Sequence, residues 1–208
     1  MAIISNAVTI ADAGAFSVSL GSMVHIKTLT GGSSTTTISF VHGSSDVVLD
    51  STYPIYKIQF INVHANANTP NMSFNLSTDG GSNYNVTKTS TAFHAWHKED
   101  DSATNLSFTA GNSLAQGTGG QRLTSGGMDV ANADGNVSGE LTIYNPSSTT
   151  FVKHFMARSS LNSYHPYEYD LHIAGYANTT SAINAIQFTI ETNNFDNGIF
   201  KLYGIKDS

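Results

Sequence analysis

Eight histidines in a chain of 208 residues are the first place to look for chemistry. The densest cluster is His94, His97, Glu99, Asp100 and Asp101. Metal sites need three or four such ligands converging in fixed geometry. On a strand, side chains three apart point to opposite faces, so His94 and His97 meet on one ion only if the segment turns. The cluster reads as a solvated charged loop, with no metal and no cofactor. Asp129, Asn132, Asp134, Gly135 and Glu140 have the composition of a calcium loop but not its spacing. With Gly135 as the sixth residue, the first ligand position falls on Val130 and the twelfth on Leu141. The chain has no phosphate loop, dinucleotide fingerprint or G-x-S-x-G nucleophile motif. Nothing selects two of its fifteen acidic residues as the carboxylate pair that glycosidases need. The chain reads as a protein that is not an enzyme.

Binding has a better candidate. Residues 162–170 read as an exposed loop carrying Tyr164, His165, Tyr167 and Tyr169. Such rings combine apolar area with a polar tip, which suits a sugar or a protein surface. They equally suit sealing the end of a small core. Both readings stand.

These side chains must be positioned by strands. Tyr56, Ile58 and Phe60 alternate with Lys57 and Gln59, and Met72, Phe74 and Leu76 alternate with Ser73, Asn75 and Ser77. Alternation of period two makes each run apolar on one face. Asp79, Gly80 and Gly81 form the heart of a turn that reads as a hairpin. Val24–Leu29 reads as a strand stopped by Gly31 and Gly32, and Pro54 interrupts pairing before Tyr56. Phe151–Met156 reads as a strand covered on both faces. The expected core is Ile58, Phe60, Met72, Phe74, Leu76, Leu141, Ile143, Phe155, Ile186, Phe188, Ile190 and Leu202. Ten to twelve strands without a convincing helix predict an all-β, antiparallel, jelly-roll-like β-sandwich with long Gly-rich loops. Residues 1–22, with weak alternation at Phe16, Val18 and Leu20, read as an N-terminal arm or edge strand. Residues 23–208 read as one sandwich domain. Residues 109–136 hold seven glycines and few large apolar groups, with one short strand at Gln121–Thr124. A loop of this length is expected to be ordered against a neighbouring subunit.

Composition narrows the partners. Charged residues are 12% of the chain, about half the usual share, while Ser, Thr and Asn number 68. The surface is therefore expected to be covered with hydroxyls and amides. There is no cysteine, which removes disulfides and Cys-based zinc or redox chemistry. A net charge of −6 with no basic cluster argues against nucleic acid. No apolar run is long enough for membrane insertion as a helix. The N-terminus is a poor secretion signal, so six N-x-S/T sequons read as a by-product of composition.

Three stretches together resemble a known group. They are Tyr56–Val63 with Phe74 and the Asp79–Tyr84 turn; Gly139–Leu141 through Asn145–Phe155; and Gly175–Ile183 with Ile199–Ile205. Over roughly residues 53–206 the chain resembles virion structural proteins of marine tailed bacteriophages of cyanophage type. The resemblance implies a non-enzymatic bacteriophage structural protein located in the virion, a capsid decoration, fibre or tail-associated component. It carries over no catalytic residue. The implied partners are other virion proteins of capsid or tail; the 109–136 segment and the N-terminal 22 residues, read as ordered by neighbouring subunits, predict a homo-oligomer with a trimer favoured. The alternative is a carbohydrate-binding module of a tail fibre that recognises a host-surface glycan.

Overall fold

Alternating burial is the rule along the strands of this chain, and it builds two antiparallel sheets face to face. A computed structural model describes residues 22–67, 70–129 and 135–206, with the backbone of three short strands inside 3–16. Those three, β1 (Ile3–Ser5), β2 (Val8–Asp12) and β3 (Ala15–Phe16), pair with one another. The expected positions Val18 and Leu20 lie outside the described residues. Next come β4 (Met23–Thr35), β5 (Thr37–Val41), β6 (Ile55–Ala65) and β7 (Met72–Ser77). They are followed by β8 (Lys88–Lys98), β9 (Thr104–Phe108), β10 (Gln121–Arg122) and β11 (Val137–Tyr144). The last four are β12 (Lys153–Asn162), β13 (Tyr167–Ala177), β14 (Ala185–Ile190) and β15 (Phe195–Ile205).

Twelve of these strands form the sandwich. Eight make a sheet in the order β4-β15-β6-β11-β12-β13-β8-β9, and four make a second in the order β10-β7-β14-β5. All twelve expected core residues are buried in one cluster. Phenylalanines tie the layers together. Phe74 meets Phe155 edge-on at 5.3 Å, and Phe188 packs against Phe200 at 5.0 Å. Two glycines make room for large rings on the neighbouring strand. A Cβ on Gly139 would lie 2.7 Å from Phe60, its register partner, and one on Gly175 would lie 2.5 Å from Phe155, its partner.

Several local expectations change. The Asp79-Gly80-Gly81 turn does not close a hairpin; it passes the chain from β7 in the small sheet to β8 in the large one. Both glycines have positive φ, 70° and 84°. Asp79 takes bonds from Ser77 Oγ, Asn83 N and Asn83 Nδ2. These bonds, those of Asn83 first, hold its carboxyl down at about 2. β4 runs straight through Gly31 and Gly32, because Gly31 lies against Phe195, where a Cβ would come within 2.9 Å. In β12 the period of two beats the apolar run: Lys153 points inward and is buried, while Met156 is exposed. Lys153 Nζ donates instead to the carbonyls of Thr179 and Ser181.

Over 109–129 the glycine-rich segment packs against its own chain. Leu123 and Met128 are fully buried, Leu123 N donates to Met72 O, and Ser159 Oγ donates to Leu123 O. Arg122 grips Glu191 with two bonds, at 2.7 and 3.1 Å. Leu123 and Met128 are the segment's two large apolar groups in the sandwich core, and Leu114 stays half-buried outside it.

Candidate binding surface

The aromatic stretch divides into two kinds of residue. β12 extends to Asn162 and β13 begins at Tyr167, so only residues 163–166 form a connecting turn. Tyr167 and Tyr169 are strand residues. Their parity matches Leu171 and Ile173, which face the core. Tyr169 is only 8% exposed and packs on the His94 ring at 5.2 Å; burial pushes its hydroxyl pKa up. Tyr167 stacks on Trp96 at 4.9 Å with 15° between planes. These rings seal one end of the sandwich. Tyr164 is 45% exposed and His165 is also exposed, their rings 5.4 Å apart. The loop therefore presents two adjacent rings rather than four. Trp96, which completes the seal, lies on another strand, β8, so nothing local in the sequence joins it to these rings.

The histidine–carboxylate cluster disperses. His94 faces inward, bonded through Nδ1 to Ser125 Oγ (2.8 Å) and through Nε2 to Ser107 Oγ (3.1 Å). Burial lowers its pKa, and the ring bridges β9 and the 121–129 segment. His97 faces outward to Asp101, Asp100 pairs with Lys98, and Glu99 accepts from Asn162. Among the described residues no three His, Asp or Glu side chains converge as metal ligands. Of the calcium-like set, Asn132 and Asp134 lie outside the described residues. Glu140 sits elsewhere, on the outer face of β11, bonded to Lys57 at 2.9 Å.

That outer face of the eight-stranded sheet is where side chains converge on a hollow. Register places Gln59, Glu140, Arg158, His172 and Phe93 in one row across β6, β11, β12, β13 and β8. The next row is Lys57, Thr142, Met156, Ala174 and Thr91. Between long side chains the short Thr142 and Ala174 leave a hollow of about 540 Å³. Phe93 lies flat on His172, ring centres 4.9 Å apart and planes 5° apart. Arg158 makes a two-point bond to Asp170, both distances 2.9 Å, and His172 Nε2 lies 3.2 Å from Asp170 Oδ1.

Hydrogen bonding, from Arg158 first, holds the Asp170 carboxyl below its usual range. Asp50, Asp79 and Asp100 are also shifted down by hydrogen bonds. A glycosidic general acid needs the opposite, a carboxyl pushed up by its surroundings. What the hollow offers is an aromatic and thioether floor beside fixed, mutually neutralised charges. Compared with known protein families, curated proteins and solved structures, the chain has no significant match.

Proposed function

We propose that the chain is a non-enzymatic structural component of a tailed-phage virion, a decoration, fibre or tail-associated protein that works through protein–protein assembly. The observation that supports this most is the open edge of β4. This strand has thirteen residues and, among the described strands, pairs only with β15. At roughly 3.3 Å per residue it leaves about 40 Å of backbone edge. Natural monomers blunt such edges with proline, charge or shortness. β4 has no proline and one lysine, Lys27; its pairing with β15 is regular from Lys27 to Gly32 and shifts register on either side of that run.

The opposite edge of the same sheet is β9, where Leu106 is 69% and Phe108 64% exposed. Joining β4 of one copy to β9 of the next is a head-to-tail contact, which closes into a ring when the rotation allows. A trimer is the favoured ring, and capsid or tail proteins are the further neighbours. Light scattering on the purified protein is expected to give a discrete trimer. Hydrogen exchange is expected to slow in β4 and β9 as concentration rises, and an antibody is expected to label the particle surface. A concentrated monomer with rapidly exchanging β4 amides and no labelled particle would sink the proposal.

A further inference from the structure

The hollow on the outer face combines features that select one ligand chemistry. A sugar ring presents a C–H face that stacks on flat apolar groups and hydroxyls that need oriented donors and acceptors. Phe93 is 48% exposed, and its stacking on His172 fixes the ring before any ligand arrives, which lowers the entropic cost of binding. Met156 and Tyr144 continue the apolar floor. The polar groups are held just as firmly. Arg158 uses Nε and Nη2 on Asp170, and Glu140 uses Oε2 on Lys57. Among the described residues, Arg158 Nη1 and Glu140 Oε1 have no partner within the chain and can serve hydroxyls. A volume of about 540 Å³ lies within the range of small-molecule sites, roughly 300–1,000 Å³.

The charges exclude the obvious rivals. An anion would need an unpaired cation, yet Lys57 and Arg158 each already hold a carboxylate. A protein surface seated here would bury two ion pairs in the centre of its contact, where interfaces are depleted of charge. A neutral polyol keeps both pairs and adds bonds to them.

We propose that the outer hollow of the eight-stranded sheet, floored by Phe93, Met156 and Tyr144 and flanked by the Arg158–Asp170 and Lys57–Glu140 pairs, binds a neutral oligosaccharide. The site lies between the edges assigned to assembly and does not depend on that assignment. It is also distinct from the Tyr164–His165 turn.

The test is titration of the full chain with maltohexaose, cellohexaose and chitohexaose, beside a glycan array carrying neutral and sulfated bacterial-surface oligosaccharides. At least one neutral oligosaccharide is expected to bind. Phe93→Ala and Arg158→Ala should each weaken it by about tenfold or more, Phe93→Tyr should retain it, and Tyr164→Ala should leave it unchanged. Both target residues are exposed, so melting temperatures are expected to stay near wild type, and Phe93→Tyr separates lost stacking from lost fold. Affinity should be insensitive to salt, because no net charge is exchanged. Three results would each overturn the proposal: a blank array with a multivalent preparation, binding restricted to sulfated glycans and abolished by salt, or binding that survives both Ala substitutions. None of these depends on the oligomeric state, so failure here and failure of assembly remain distinguishable.

Discussion

Lys88 Nζ lies 2.5 Å from Asn75 Oδ1, so a fully buried amine on the eight-stranded sheet donates to a side-chain amide on the four-stranded sheet. It also donates to Val86 O at 2.8 Å. Ala177 lies between Lys88 and Lys153 in register, so two buried lysines flank one alanine. Both amines are satisfied by amide oxygens rather than carboxylates, and for both, desolvation lowers the pKa.

Stability is expected to rise with pH because of Lys88. Its pKa falls from 10.5 to about 8 on folding. Below about pH 8 both folded and unfolded chains hold the proton, and the cost of burying the charge is fully present. Between about pH 8 and 10.5 the unfolded chain still holds a proton that the folded chain has released, so stability climbs, by an amount on the order of 3 kcal/mol. Urea unfolding of wild type on either side of pH 8 measures the climb. Lys88→Met should be markedly flatter through this window. At neutral pH it removes the cost of burying a charge but leaves the Val86 carbonyl and Asn75 Oδ1 without this donor.

Phe74→Ala should cost about 3–5 kcal/mol, through lost transfer energy and the cavity left between sheets. Phe74 touches the rings of both Phe155 and Phe188, so neither sheet alone can close over the gap. A loss of less than about 1 kcal/mol in a urea titration would mean that the two layers are not packed through this ring.

Gly139→Ala tests the ring-over-glycine packing. The new methyl would meet first the Arg158 carbonyl oxygen and then the Phe60 ring, at 2.7 Å, on a strand fixed by register to both β6 and β12. Overpacking of this kind costs about 1–3 kcal/mol. Thermal unfolding should show a lowered midpoint, and Phe60→Leu in the same chain should not restore it, because the Arg158 carbonyl oxygen still meets the methyl.

How much of this was readable from the sequence depends on distance along the chain. Ile58, Phe60, Phe74 and Phe188 announced themselves because strand burial has a period of two within a few residues. The same rule places Lys153 inside, but its apolar neighbours Phe151 and Val152 hid the parity. The Asp79 turn was legible as a turn, yet whether β7 pairs β8 or β14 is decided by partners about a hundred residues apart. The outer hollow was invisible for that reason: Glu140, Arg158, His172 and Phe93 come from four strands, and only register brings them into one row.

Tyr164 and Tyr169 were indistinguishable in sequence, and the fold now separates them sharply. Tyr169 is buried against His94 and Tyr167, so Tyr169→Ala removes a core ring and should cost about 3–5 kcal/mol, the range for large aromatic truncations. Tyr169→Phe keeps the ring and should cost far less. Tyr164 sits on the 163–166 turn, whose geometry rests on backbone groups: Ser163 N donates to Tyr167 O, and Tyr164 N donates to Gly127 O. Removing its side chain leaves those bonds in place, so Tyr164→Ala should stay within about 0.5 kcal/mol of wild type. Parallel urea titrations of the three variants decide the matter. Equal losses for Tyr164→Ala and Tyr169→Ala would mean that all the rings of this stretch seal the sandwich together, and that the turn has no free aromatic surface to offer.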